Sequence, residues 1–376
     1  VSNLPLRPGI EGEQPYGAPE LEVPVRLNVN ENPYAPAPGV IADIAQAAAR
    51  AAAELNRYPD RDFPALRQAL GEYLAVESGV RLPPEQIWAA NGSNEVMLHL
   101  LQAFGGPGRI CLSFTPTYSM YPEYARDTLT EYRTQARLQD FTLDLDAALD
   151  AIQGAQPAVV ILANPNNPTG TALPLEHVQA VLDAARGNGP ATSDGRPSDA
   201  VVVVDEAYGE FRRPGVPSAL ELLEGNPNLA VSRTMSKAFG MAGLRLGYLA
   251  AAPELVEALR VVRLPYHLSA LTQAAALAAL DHRQELMSQV ASLRAERDAL
   301  VEWLRSQGYT AFESDANFVL FGPFQDRDAV WRALLARGVL IRVVGPDGYL
   351  RVSVGTPDEM QQFRDALTAI NKEEQS

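Results

Sequence analysis

Residues 200–211 read AVVVVDEAYGEF, an alanine and four valines that stop at an acid pair. A β-branched run without polar alternation is the pattern of a strand buried on both faces, as in the interior of a parallel sheet. Upstream, Ala158–Ala163 (AVVILA) is a second such run, and it ends in NPNNPTG (164–170), where Asn-Pro and Thr-Gly pairs mark turns. Downstream, Leu229–Ser232 is a third, followed by the small-residue segment TMSKAFGMAGLRLG (234–247). Helical patterns at Glu95–Phe104, Asp144–Ile152 and Leu175–Arg186 separate the apolar runs. Strands alternating with helices predict an α/β fold, a mostly parallel sheet covered by helices on both faces.

Further outward, Arg109–Ser113 and Glu131–Arg137 read as strands around a helix over Pro116–Ala125. Gln86–Ala90 is a short strand before the turn Asn91-Gly92-Ser93-Asn94, and helices are expected over Val40–Leu55 and Asp62–Glu77. Arg186–Asp199 (RGNGPATSDGRPSD) has no apolar face and reads as a flexible surface insertion, since the alternation resumes after it. Past Pro253–Arg263, a single long helix is expected over Ser269–Trp303, then a self-contained block of strands and helices closed by Pro357–Ile370. At about 150 residues per domain, 376 residues suggest two domains. The expected division is an arm at 1–30, a large domain at 31–262 and a smaller α+β domain at 263–376.

Composition narrows the function. A net charge of −15 opposes sequence-independent nucleic-acid binding and docking on an anionic membrane. The one cysteine, Cys111, sits in ICLSF and reads as a core thiol; the four histidines show no metal-ligand spacing. No run approaches a membrane span and the first residues lack a signal-peptide pattern, so a cytoplasmic protein is expected. GxGxxG and GxxxxGK[ST] are both missing, which removes the dinucleotide and P-loop readings.

Lysine usage singles out one residue. Of 31 basic residues only positions 237 and 372 are lysine, leaving 29 arginines, and Lys372 lies in a polar tail. Arginine cannot replace lysine where a neutral amine is required, because the guanidinium stays protonated. A desolvated lysine can lose its proton and attack a carbonyl.

Ligands of open α/β sheets collect at the carboxyl ends of the strands. Asp205 ends the valine run with Tyr208 behind it, Asn167 lies after the 158–163 strand, and Lys237 and Arg245 follow the 229–232 strand. These groups suit a pyridine aldehyde phosphate. An acid in an apolar site keeps the ring nitrogen protonated, a Tyr hydroxyl and an Asn amide bond the phenolic oxygen, and Tyr118 can stack on the ring. Arg245, Ser236 and the helix start at Ser93-Asn94 can hold the phosphate. Singly, each has a plainer reading: Asp205 as a helix cap, Asn167 as a turn residue, the tyrosines as core aromatics.

The ordered set NPNNPTG (164–170), DEAYGEF (205–211) and SKAFGMAGLRLGY (236–248) resembles the fold-type I, pyridoxal-phosphate-dependent aminotransferases of the aspartate aminotransferase superfamily. With LNVNENPY (27–34), NRYPD (56–60), PTYSMY (116–121) and LRVSVGTPDE (350–359), the resemblance is to the histidinol-phosphate aminotransferase group within it. It runs from about Tyr16 to Glu359 and implies pyridoxal 5'-phosphate as cofactor. Lys237 would then form the Schiff base, Asp205 would pair with the ring nitrogen, and Asn167 and Tyr208 with the phenolic oxygen. Ser93, Asn94, Thr234, Ser236 and Arg245 would hold the phosphate, with Tyr118 stacking. Tyr58 would reach the neighbouring site of a homodimer. Tyr16, Asn32, Arg342 and Arg351 would bind substrate. Relatives often carry an acid at the Asn94 position, and the Tyr16 segment lacks the basic residues common there. The expected reaction is transamination between histidinol phosphate and 2-oxoglutarate, giving imidazole acetol phosphate and glutamate. Aromatic amino acid transamination and threonine-phosphate decarboxylation share the scaffold. Regulators built on this domain place a DNA-binding module before it, and 25 arm residues are too few for one.

Overall fold

The computed structural model describes residues 4–7, 9–17 and 19–374. In chain order the elements begin with β1 (Val25–Arg26), α1 (Pro38–Ala52), α2 (Pro64–Glu77), β2 (Ile87–Ala90), α3 (Gly92–Phe104), β3 (Ile110–Thr115), α4 (Tyr121–Asp127) and β4 (Glu131–Ala136). Then come α5 (Leu145–Ala155), β5 (Val159–Ala163), α6 (Leu175–Ala185), β6 (Val201–Asp205), β7 (Leu229–Thr234), β8 (Gly247–Ala251) and α7 (Pro253–Val262). The remainder is α8 (Ala270–Asp281), α9 (Arg283–Ser306), β9 (Thr310–Ala311), β10 (Phe318–Gly322), α10 (Arg327–Ala336), β11 (Val339–Leu340), β12 (Leu350–Ser353) and α11 (Pro357–Glu374).

Seven strands form one sheet in the order β2-β8-β7-β6-β5-β3-β4. The strands from β3 to β7 run parallel, and β8 is antiparallel to both β7 and β2. The valines of β6 lie between β5 and β7, with Val202 opposite Val160 and Leu229. In the same register Asp205 lies opposite Ala163 and Ser232, so the loops leaving β5, β6 and β7 emerge side by side. Cys111 is buried, and burial pushes its thiol up to about 12.

A second, three-stranded antiparallel sheet (β12-β10-β9) underlies the C-terminal region. It is not self-contained. The arm supplies β1, which pairs parallel with β11 at Val25–Val339, and Val25 and Leu27 are buried in that core. The apolar contacts pass from one core to the other along α9: Leu286 packs with the large sheet, Val290 and Leu293 in a small junction cluster, and Leu300 and Leu304 with the second sheet.

Two helices differ from the sequence reading. The segment 116–120 is not helical: Asn166 donates from Nδ2 to the Pro116 carbonyl, Thr117 donates to Asn166 Oδ1, and α4 starts only at Tyr121, with Pro122 in its first turn. The stretch expected as one helix from 269 to 303 breaks at His282, whose ring bonds Asp43 Oδ2 at 2.7 Å while its backbone leaves the helical range. The 186–199 insertion is closed by an antiparallel bridge between Gly189 and Ser198.

Behind the carboxyl edge of the large sheet lies a buried ionic cluster. The Arg233 side chain is fully enclosed and meets Glu206 (2.7 Å), Glu77 (3.2 Å) and Glu210 (3.2 Å). Burial pushes the Glu206 carboxyl up, but the Arg233 and Arg212 charges and the bonds from Ala219 N–H and Ser218 hold it below its usual value. Removing one partner of such a set strands the others as buried charges. Arg233→Met is therefore expected to lower unfolding free energy by about 3–5 kcal/mol, read as a fall in the urea midpoint at unchanged slope. An unshifted midpoint would refute the structural role.

Candidate active site

A cavity of about 290 Å³ is lined by Ala163, Asp205 and Thr234, the last residues of β5, β6 and β7. Around it the fold gathers Tyr16, Ser93, Asn94, Tyr118, Asn167, Tyr208, Ser236, Lys237, Arg245, Arg342 and Arg351 from segments far apart in sequence. Two expected residues are absent from the lining. The Asn32 side chain is engaged elsewhere, its Nδ2 donating to the Ala238 carbonyl (3.2 Å) and Gln289 Oε1 (3.3 Å) and its Oδ1 accepting from the Tyr34 amide. Asn30, two residues earlier, sits at φ 57° and turns the chain, so Asn32 does not follow it into the cavity. Tyr58 stands 80% exposed and stacks on Tyr266 with ring centroids 4.5 Å apart.

Lys237 donates from Nζ to the Val29 carbonyl at 3.0 Å. Burial, then the nearby Arg351 charge, pulls its amine down to about 8. Asp205 is buried at the end of β6, where desolvation pushes its carboxyl up to about 6. Two donors oppose that shift: Tyr121 Oη to Oδ2 at 2.9 Å, and the Ala207 amide to Oδ1 at 3.3 Å. Tyr208 Oη receives Asn30 Nδ2 at 2.9 Å. Arg351 donates from Nη1 to Asn167 Oδ1 (2.6 Å) and from Nη2 to the Asn28 carbonyl (2.9 Å), while its buried Nε has no partner. Desolvation brings the Arg351 guanidinium down to about 10. Arg342 pairs with it across an isolated antiparallel bridge, and its Nη1 is likewise buried and unpartnered. Tyr16 Oη bonds Ser119 Oγ at 2.8 Å, and both residues line the cavity.

On the opposite side, Asn91 N–H bonds Glu95 Oε2 (2.6 Å), fixing the start of α3. The first-turn amides behind it have no intrahelical acceptors. Two glycines bring this start close to its neighbours. A Cβ on Gly247 would lie 2.1 Å from the Ser93 nitrogen, and one on Gly92 would lie 2.5 Å from Arg245 Nη2. The Arg245 guanidinium therefore lies against the positive end of a helix, with Ser236 Oγ 3.4 Å from its Nη1. Donors of one sign packed together call for an anion, and among the described residues Asp205 is the only carboxylate in the lining. A phosphate with an aromatic ring reaching Asp205 fits this donor set, with Lys237 between.

Sequence reasoning missed Asn30, Tyr121 and the Asn28 and Val29 carbonyls. Signals existed for two of them: Asn30 is in the quoted LNVNENPY, and Tyr121 lies three residues after Tyr118 in PTYSMY.

A seven-stranded mixed sheet carrying a lysine, a buried acid and an anion cup at its carboxyl edge has the aspartate aminotransferase fold. The structure matches the tetra mutant 1 of Thermus thermophilus aspartate aminotransferase with a TM-score of 0.79 and 25% identity over 98% of this chain and 99% of that one. It matches the histidinol-phosphate aminotransferase of Sinorhizobium meliloti, solved in complex with pyridoxal-5'-phosphate, with a TM-score of 0.82 and 25% identity over 98% and 99% of the two chains. A sequence model described as aminotransferase class I and II matches residues 22–367. Histidinol-phosphate aminotransferase 3 of Burkholderia lata is 58% identical over 370 residues, 98% of this chain and 96% of that protein. The chain belongs to the class I and II aminotransferase family.

The lysine's lowered affinity for its proton has a measurable consequence. With the amine titrating at about 8, about a tenth is neutral at pH 7 and most is neutral at pH 9. Only the neutral amine attacks an aldehyde, so the rate at which the cofactor-free protein takes up pyridoxal phosphate should rise as pH passes through about 8 and then level off. Stopped-flow absorbance measures it, and a rate that falls across that range would contradict the assignment.

Proposed function

We propose that this chain exchanges the amino group of histidinol phosphate with 2-oxoglutarate, forming imidazole acetol phosphate and glutamate, with pyridoxal 5'-phosphate as cofactor. The observation that carries this reading is the meeting of Lys237, Asp205, the Ser93–Arg245 anion cup and Arg351 around one cavity. Bound pyridoxal phosphate supplies the carbonyl that receives the amino group and a ring that accepts electrons when the substrate α-carbon loses its proton.

The side chains divide the remaining work. Ser93, Asn94, Ser236 and Arg245, with Thr234 behind them, hold the phosphate. Thr234 acts through Ser236, whose amide it receives at 3.1 Å. Asp205 holds a proton at the ring nitrogen, and its bonds from Tyr121 and Ala207 keep the carboxylate charged against burial. Tyr208 and Asn167 bond the phenolic oxygen, and Tyr118 covers the ring face. Lys237 would serve as the base that takes the proton from the substrate α-carbon, a role that requires the neutral amine that burial favours. Arg351 takes the distal anion of either substrate, the phosphate or the side-chain carboxylate, because a guanidinium can fork to both. Arg342 and Tyr16 line the same end.

A second subunit belongs to this proposal. Tyr58, Val261, Leu264 and Tyr266 leave apolar surface exposed together with the stacked Tyr58–Tyr266 pair. In a homodimer this surface is covered and Tyr58 reaches the neighbouring cofactor phosphate. A cytoplasmic setting, where amino-acid biosynthesis supplies both substrates, goes with the same proposal.

The deciding measurement compares kcat/KM on histidinol phosphate, phenylalanine and threonine phosphate; a clear preference for phenylalanine would overturn the named substrate and leave the reaction class standing. Lys237→Ala should remove the near-visible absorbance that the wild type shows with pyridoxal phosphate. Arg351→Ala should raise KM for both substrates by one to two orders of magnitude, the worth of a charge-assisted bond at about 1.5–3 kcal/mol. A defect confined to one substrate would refute a shared anion pocket.

A further inference from the structure

Asn30 is 2% exposed, and each polar group it carries is engaged. Its backbone N–H donates to Ser353 Oγ (3.0 Å) and its carbonyl accepts from Asn317 Nδ2 (3.0 Å). Its Oδ1 accepts from Ser353 Oγ (2.8 Å), and its Nδ2 donates to Tyr208 Oη (2.9 Å). An amide can flip and a hydroxyl can rotate, so the direction of such a chain must come from a group unable to reverse. The backbone N–H of Asn30 is that group. Ser353 Oγ receives it and delivers its own proton to Asn30 Oδ1, the only acceptor it has among the described residues. A flipped amide would leave the buried Ser353 proton without an acceptor, which costs about 1–3 kcal/mol. Nδ2 is thereby turned to Tyr208. Tyr208 Oη, already receiving a proton, has its own free, and no described residue accepts it; Tyr208 lines the cavity.

We propose that Asn30 and Ser353 form a hydrogen-bond relay that sets Tyr208 as a proton donor into the cavity, which makes Asn30 a positioning residue for the amino-group exchange. The relay rests on the proposed cofactor, whose phenolic oxygen is the acceptor Tyr208 meets. A donor there favours the ionised oxygen and so lowers the pH at which the Lys237-bound cofactor changes its absorption.

Asn30→Asp tests this with nearly the same shape, because a carboxylate can only accept and draws the Tyr208 proton away from the cavity. The measurement is the pH midpoint of the absorption change of the pyridoxal-phosphate-loaded protein. Asn30→Asp should raise that midpoint by about one unit, Tyr208→Phe should raise it similarly, and Asn30→Asp added to Tyr208→Phe should raise it no further. Ser353→Ala, which keeps Asn30 but frees its amide to flip, should give a smaller rise in the same direction and serves if Asn30→Asp does not fold. An unmoved midpoint in folded Asn30→Asp or Ser353→Ala, or an equal rise from Asn30→Asp with Tyr208 already replaced, overturns the relay. A wild type without cofactor absorbance, or one whose absorbance survives Lys237→Ala, overturns the cofactor assignment and the relay with it.

Discussion

The enclosed guanidinium of Arg233 is the constraint on which the carboxyl edge of the large sheet depends. Successive residues of a strand point to opposite faces, so Thr234 faces the cavity while Arg233 faces the interior behind it. The acid pair at the end of β6 divides in the same way, with Asp205 in the cavity and Glu206 against Arg233. Arg233 also lies against Gly209, where a Cβ would come 2.6 Å from the Arg233 Cζ atom, so the backbone carrying Tyr208 rests on the guanidinium. One buried cation thus braces β6, β7, the end of α2 through Glu77, and the turn beyond Tyr208.

The other wall of the cavity is held by three consecutive residues between β1 and α1. The Asn28 carbonyl receives Arg351, the Val29 carbonyl receives Lys237, and the Asn30 amide donates to Tyr208. Two of these contacts are made by backbone atoms, which any sequence would supply once the chain passes there. What brings it there is the pairing of β1 with β11 and the burial of Leu27. The cavity is therefore a joint product of the large sheet and the C-terminal sheet, with Tyr208, Phe318 and Val354 packed at their junction.

These origins explain what the sequence made legible. The α/β class was readable because strands buried on both faces, such as β5 and β6, are written as unbroken apolar runs. The gathering of Asp205, Asn167, Lys237 and Arg245 around one cavity was readable because each follows a strand end and the strands lie in register. The break at His282 was not, since alanine- and leucine-rich helices flank it and no proline or glycine marks it. The role of 25–30 as strand and wall was hidden because β1 is two residues long and its partner lies at 339–340. Asn30 and Asn32 have the same spacing that places residues on one strand face; only the left-handed turn at Asn30 separates them.

That distant pairing bears on how the molecule comes together. The strands of the large sheet all fall between residues 87 and 251, and apart from β2, which joins β8 across that whole span, they pair with near neighbours in the chain. They can close while synthesis continues, as contacts of short sequence separation do. β1 must wait for β11, because Val25 has no partner until Val339 has been made. During that interval Lys237 lacks the Val29 carbonyl that holds it. Loop closure between such remote segments is the slow kind of contact, so the reactive amine is seated late, after the sheet that carries it has formed.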